Sequence, residues 1–462
     1  MSSELLTRSP VDGSVVVSRV YHTPAAIEAA LTAAVSAQKT WKTASIADRA
    51  AILSKGVDNF VANKEQIALE LTRQMGRPIR YTPGEVGGFE ARARHMISIA
   101  NEALHDVVPA AIEGFNRFIR REPVGVVLVV APWNYPLLTA VNAVVPALMA
   151  GNAVILKHSA QTPLAAERMV EAFSNIGLPE GLFQFIHTDH EGTQGLIQSP
   201  MVNAVCFTGS VKGGEAVEQA AAGRFIPVGL ELGGNDPGYV RADADVDQAV
   251  DTLIDGAFFN SGQSCCGIQR IYVHASLFDQ FIEKAVRLTN QYKLGDPMDP
   301  ETTLGPVVRT SAADSIRAVV TDAITKGAKT LINAADFPAD QPGSAFVAPQ
   351  ILVNVNHSMA IMNEECFGPV VGIMPVKDDA EAVQLMNDSP YGLTASIFTK
   401  DETAALAIGD QLETGTVFMN RCDYLDPALA WTGVKNTGRG ATLSSVGYEH
   451  LTRPKSFHLK KL

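Results

Sequence analysis

Cysteine is scarce in this chain: five residues among 462, at positions 206, 265, 266, 366 and 422. An odd, sparse set is not a disulfide framework. No Cys/His group has zinc spacing, so no metal site is expected. Basic residues are short as well. The 37 Lys and Arg against 49 Asp and Glu leave a formal net charge of -12, which argues against a nucleic-acid footprint. The opening MSSELLTRSP lacks the apolar core of a signal peptide, so a reduced, cytoplasmic setting is expected. Only residues 124–151 form a long apolar run, and Pro132, Asn134, Pro136, Asn142 and Pro146 interrupt it. That run reads as a buried strand, a turn and a helix, and no membrane span is expected. A GxGxxG dinucleotide fingerprint, an internal repeat and low-complexity segments are all missing.

What is present is a globular composition, with 46% hydrophobic and 19% charged residues, and a length that favours two or three domains. Residues 24–105 have apolar positions at three- and four-residue spacing and predict helices. From residue 124 apolar runs alternate with helical stretches (VGVVLVVAP, then LLTAVNAVVPALMAG; NAVILKHS, then PLAAERMVEAFSNIG; NAVCFTGS, then KGGEAVEQAAAG). This alternation predicts a parallel sheet with helices on its faces, which binds ligands beyond the carboxyl ends of its strands. A second α/β series begins near residue 236, and the tail SFHLKKL reads as an edge strand.

Three short stretches carry chemistry. CFTGSVKGG sets Gly209, Ser210, Gly213 and Gly214 between a strand and a helix, where free N–H groups suit a phosphate; an ordinary βα turn reads the same way. In ELGGNDP, Glu231 ends a strand before a glycine pair and fits a general base or a turn partner equally. In FFNSGQSCCGIQR, Cys265 follows a polar, Gly-containing run. Structural cysteines usually sit in apolar surroundings. A helix starting at Cys265 would lower the thiol pKa and make it a nucleophile. Cys266 reads as its packing neighbour.

Taken in order, PWNYP at 132–136, KHSAQTP at 157–163, FTGS at 207–210, ELGG at 231–234, GQSCC at 262–266 and ECFGPV at 365–370 resemble the NAD(P)-dependent aldehyde dehydrogenase superfamily. The likeness runs from about residue 5 to the end, and the 34-residue step from Glu231 to Cys265 matches that family. It implies a Rossmann-type cofactor domain (1–105 and 123–233), an α/β catalytic domain (234–430) and a small oligomerisation element (106–122 and 431–462), in a homodimer or homotetramer. It implies oxidation of an aldehyde to an acid through a Cys265 thiohemiacetal and thioester. Asn134 and the Cys265 N–H would hold the oxyanion, and Glu231 would activate water. NAD or NADP would be held by Trp133, Lys157, Ser159, Ala160, Gly209, Ser210, Gly214, Leu232, Glu365 and Phe367. Tyr135, Leu138, Thr139, Asn142, Phe259 and Asn420 would line the aldehyde tunnel. Two other readings stand beside this: an acylating enzyme that passes the thioester to coenzyme A, against which Glu231 counts, and a non-catalytic binding protein on the same fold.

The departures are informative. Many NAD-preferring relatives have Glu where Ala160 stands. Without that carboxylate, and with Lys157, His158, Ser159 and Lys212 nearby, NADP should be tolerated or preferred. Asn235 replaces a residue that is often Lys in relatives. The carboxyl end keeps Gly433, Lys435, Gly438 and Arg439 of the family pattern but loosens at 428–431 and after Gly440. Arg421, next to Asn420, could meet an anionic substrate, though a surface salt bridge is the plainer expectation.

Overall fold

The computed structural model describes residues 4–462. A hairpin of β1 (Glu4–Arg8) and β2 (Val15–Val20) leads into four helices, α1 (Pro24–Trp41), α2 (Ile46–Ala62), α3 (Lys64–Met75) and α4 (Thr82–Ala103). Local chemistry sets their ends. Thr23 and Ser45 cap α1 and α2 through their hydroxyls, and Gly76, at φ 80°, stops α3 in a left-handed conformation that glycine takes without steric cost.

After β3 (Phe115–Pro123), the 124–151 run is the strand, turn and helix expected: β4 (Val126–Ala131), buried throughout, then α5 (Pro136–Met149). There follow β5 (Ala153–His158), α6 (Pro163–Ala172), β6 (Phe183–Phe185), α7 (His190–Gln198), β7 (Ala204–Thr208), α8 (Val211–Ala221) and β8 (Val228–Glu231). From β4 the parallel sheet grows through β5 and β6 on one side, then through β7 and β8 on the other. The order therefore reverses at β4, and the crevice beyond the strand ends lies there.

The second series starts with β9 (Asp236–Val240), α9 (Val246–Phe258) and β10 (Ile268–His274). Its seven-stranded sheet runs 329–330, 350–353, 370–376, β10, β9, 394–398 and 416–419, parallel except for the first pair. Separate apolar clusters cover its two faces. Among the described residues no helix is long and apolar enough to cross a membrane.

The chain's end divides differently from the sequence expectation. The terminal strand Thr452–Lys460 pairs antiparallel with β3, as a separate two-stranded ribbon. Residues 431–451, expected to accompany it, divide instead: Val434–Lys435 pair with Tyr391–Gly392 of the second series, where Lys435 Nζ donates to Asn387 O and Ser389 O, and the remainder packs on the first domain. Trp431, Leu443, Tyr448 and Leu451 belong to its core, and Gly438–Arg439 add an antiparallel edge to β8. The Tyr448 hydroxyl donates to Met96 O at 2.6 Å. A segment built of two-residue strands has no periodicity from which a sequence reading could assign it.

Candidate active site

The turn before β10 is fixed by backbone strain and by side-chain amides. After α9 the chain reverses through Asn260 (φ 53°), Ser261 (φ 55°) and Gly262 (φ 71°). Two consecutive non-glycine residues in the left-handed region cost stability and persist only where their surroundings hold them. Here Asn260 accepts from Arg77 Nε at 3.0 Å and donates from Nδ2 to Asn134 O and Gln263 O, both at 3.2 Å. Ser261 Oγ donates to Gly305 O at 2.8 Å, and Gln263 Oε1 accepts from Val308 N at 2.7 Å. Cys265 therefore sits in a turn and not at the helix start expected. Its half-buried thiol has no helix dipole behind it. Its backbone N–H donates to no acceptor among the described residues.

Cys265 and Glu231 line one cavity of about 910 Å³, a size suited to a small ligand. Glu231 leaves the end of β8. Its Oε2 accepts from Thr208 Oγ1 at 3.1 Å and its Oε1 from Thr442 Oγ1 at 2.5 Å. Burial pushes its pKa up, while the two threonines and Arg92 pull it back. Tyr135, Leu138, Thr139 and Asn142 of the α5 segment line the same cavity, as does Phe259. Gly88 on α4 makes room for this wall, because a Cβ there would lie 2.7 Å from Leu138 Cδ2.

Asn134 is buried one layer behind that wall. Its Nδ2 donates to Gln263 O at 3.2 Å, and its carbonyl accepts from Arg77 Nη2 as well as from Asn260. Arg77 in turn pairs with Glu85, whose Oε1 accepts from Leu137 N at 2.8 Å. This network ties the segment after β4 to the cysteine turn.

Two expectations fail here. Asn420 does not face the cavity. Its side chain bonds Thr399 N at 3.0 Å and Thr399 O at 2.8 Å and so closes the strand end beside it. Its neighbour Arg421 lines the cavity instead, lying over the Tyr424 ring at 3.3 Å, and makes no salt bridge among the described residues. Cys266 packs in the first core as expected, and its Sγ also donates to Asp423 Oδ1 at 2.8 Å, which accepts from Ser264 Oγ at 3.1 Å. Burial raises Asp423 to about 6, and a hydrogen bond with Cys265, followed by burial, lifts the Cys266 thiol well above its ordinary value. Arg92, Thr442 and Asp423 were not singled out in the sequence. Each reaches the site from a segment without a local motif.

The crevice side gathers the other group of residues. Gly209 and Ser210 form the β7–α8 turn, where Ser210 Oγ caps α8 by accepting from Gly213 N at 3.1 Å. A Cβ at Gly209 would lie 2.6 Å from the Phe207 ring, and one at Gly214 2.7 Å from Leu232, so the turn admits a close approach that larger residues would block. Leu232 is buried, and its N–H donates to Thr437 O at 2.9 Å. Trp133 meets Phe367 edge to face at 5.7 Å. Glu365 Oε1 accepts from Gly234 N at 3.1 Å, and burial raises it to about 7. Gly233 and Gly234 thread between Glu365 and the carbonyl of Cys265, where neither has space for a side chain.

Lys157 ends β5 with burial lowering its pKa and Asp189 opposing that shift. Ala160 is exposed, and Ser159 is half-buried. His158 contributes no charge here. It is buried between Pro136 O (3.0 Å to Nε2) and Ser159 N (3.0 Å to Nδ1), and its pKa falls to about 4. Asn235 ties the loop to Gln269 and to Glu364 O, both at 3.1 Å. A dinucleotide fits this crevice: a glycine turn opens a helix beside the switch point, a lysine that makes no ion pair among the described residues stands near the end of β5, and a carboxylate faces the glycine pair.

The family model for the aldehyde dehydrogenase family matches residues 2–457. The chain belongs to this family. It is 34% identical over 421 residues to succinate semialdehyde dehydrogenase [NAD(P)+] Sad of Escherichia coli, covering 91% of this chain and 90% of that protein. It is 33% identical over 454 residues to betaine aldehyde dehydrogenase 2 of Rhizobium meliloti, covering 98% and 93%. Among solved structures, the NADP-dependent glyceraldehyde-3-phosphate dehydrogenase of Bacillus halodurans complexed with NADP superposes with a TM-score of 0.92 at 32% identity, covering 99% of this chain and 96% of that one. This aldehyde dehydrogenase is an oxidoreductase that converts aldehydes to carboxylic acids with NAD(P)+.

Proposed function

We propose that Cys265 is the nucleophile of this aldehyde dehydrogenase and Glu231 its hydrolytic base. The observation that supports the pair most directly is their presence on the wall of one cavity. The Cys265 thiolate adds to the aldehyde carbon, and the oxygen that becomes negative is met by the free Cys265 N–H and by the Asn134 amide, which reaches it by leaving Gln263 O. NAD(P)+, when bound, takes up the hydride. Glu231 then removes a proton from water, which attacks the Cys265 thioester and releases the acid. Its elevated pKa makes it a stronger base than an exposed glutamate, while the two threonines keep its anion accessible.

For the cofactor, Trp133, Lys157, Ser159, Ala160, Gly209, Ser210, Gly214, Leu232, Glu365 and Phe367 border the dinucleotide. NADP+ is accepted, and the preference leans toward it. No carboxylate stands at Ala160 to repel a 2′-phosphate, and Lys212 is exposed on the adjacent turn. The β3 ribbon supports a homodimer or homotetramer, and five free cysteines suit a reduced cytoplasm.

The test is NAD(P)H formation with both cofactors on wild type, Cys265→Ala and Glu231→Gln. Loss of all turnover in the first variant, and a single stoichiometric burst in the second, are expected. Sustained turnover by Cys265→Ala would sink the assignment, and a large kcat/KM advantage for NAD+ would sink the cofactor preference.

A further inference from the structure

Hydrolysis of a thioester needs one water at Glu231 in every turnover, while the aldehyde's carbon skeleton still fills the cavity in front of it. A second cavity, of about 30 Å³, lies against the same carboxylate, with room for about one water molecule. Thr139, Asn142, Thr208 and Glu231 line both cavities, so the carboxylate stands on the partition between them. From there the lining of the small cavity runs to Arg439 and His450, which are exposed. Arg439 is tied to Glu218 and to Val228 O. The His450 ring has no hydrogen-bond partner among the described residues.

Small residues open this gap in an interior that is otherwise close-packed. Side chains along a strand alternate between its faces. Gly229 therefore lies on the face of β8 that carries Glu231, and their register partners on β7, Cys206 and Thr208, share it. Gly229 leaves the space beside Glu231 unfilled, because a Cβ there would meet only Val205 O, at 3.9 Å. Gly440, at φ 91°, crosses opposite, and its missing Cβ would lie 3.4 Å from both Gly229 Cα and His450 Nε2. Thr432 Oγ1 fixes that crossing by donating to Gly440 O at 2.6 Å. The inner end is polar. There the Thr208 and Thr442 hydroxyls donate to Glu231, and each hydroxyl oxygen still accepts from a water.

We propose that the second cavity is a water passage to Glu231, separate from the aldehyde's entrance, through which the hydrolytic water arrives from the His450 side. The proposal rests on the reading of Cys265 as nucleophile and Glu231 as base. The arriving water gives one proton to Glu231 while its oxygen bonds the acyl carbon. The C–S bond breaks, the sulfur leaves as the thiolate, and the acid is formed. The proton on Glu231 then passes to the next water and out past His450. A gap of this size admits water singly and excludes a thiol or other larger nucleophile, so the acyl group is directed to hydrolysis.

The experiment mixes the full chain with one equivalent of aldehyde and excess NAD(P)+, and follows NAD(P)H by absorbance and free acid by rapid quench. The aldehyde is the one wild type oxidises fastest in a panel of aliphatic, aromatic and hydroxylated aldehydes. Rates are taken on the high-pH plateau, where Glu231 is ionised in every variant, so a shifted base does not enter. Gly229→Val fills the passage from a position with room for a side chain. The NAD(P)H burst should keep its rate, while acid release slows by about tenfold or more. Gly229→Ala should slow it less. If Gly229→Val does not fold, a selective slowing of acid release in Gly229→Ala and in His450→Phe, at the mouth, takes its place. Unchanged acid release in these variants would overturn the proposal and leave Cys265 and Glu231 standing. Equal slowing of the burst and of acid release would mean a distorted site, and would overturn it as well. A wild type without a burst on any aldehyde of the panel would overturn the Cys265 reading and the passage with it.

Discussion

At the scale of single residues, Glu231 depends on a partner more than 200 positions away. Thr442 donates to its carboxylate and lowers a pKa that burial raises. Thr442→Val removes that donor, so the pKa of Glu231 climbs further. In its proposed role as base Glu231 must be ionised, and the acid limb of the kcat profile should therefore move to higher pH. A profile with an unmoved acid limb would show that the threonine does not tune the base. Glu365 offers a second test. Burial raises it to about 7 from an ordinary 4.5, so between these values the folded chain holds the extra proton. Its contribution to stability is then complete below about 4.5 and fades as pH rises through about 7. Glu365→Gln should flatten that decline in Tm measured across the interval. Cys265 and Glu231 were legible in the sequence because each lies within a short, ordered motif. Arg92, Asp423 and Thr442 were not, because burial and an approach across the fold are what make them part of the site.

At the scale of elements, the cysteine turn is held by its neighbours. Asn260→Ala would lose the bonds to Arg77, Asn134 O and Gln263 O and leave alanine at a positive φ. A loss of about 3 kcal/mol is expected in denaturant melts, with kcat falling as Cys265 shifts. A variant as stable and active as wild type would refute this account of the turn. Helices and parallel strands were readable from apolar spacing because each buries one face. A helix at Cys265 was a reasonable expectation from a polar run ahead of a cysteine. The chain instead makes a strained reversal, a conformation for which asparagine and serine give only a weak signal.

At the scale of the whole molecule, β3 and the terminal strand Thr452–Lys460 form a ribbon of their own, with Phe118 stacked on Phe457 at 4.6 Å. A strand pair outside both sheets is suited to joining copies. Phe457→Glu should shift sedimentation toward a smaller species and lower Tm. An unchanged oligomer would remove the ribbon from the interface. The two α/β units were visible in the sequence, but the packing of residues 438–451 on the first was not, since it is written in contacts with Met96, Glu231 and Leu230 rather than in any local pattern.

That placement has a consequence for how the enzyme is born. A chain emerges from the ribosome amino end first, and domains fold as they appear. Here β8 gains its last neighbour, and Glu231 its Thr442, only when the final tenth of the chain has been made. Until then the Glu231 carboxylate lacks one of its two hydroxyl donors. A message cut short after the second sheet would thus yield a chain without the edge partner of β8, without the Thr442 donor to Glu231 and without the Leu443, Tyr448 and Leu451 side chains of the first core, so the first domain is completed only at the end of translation.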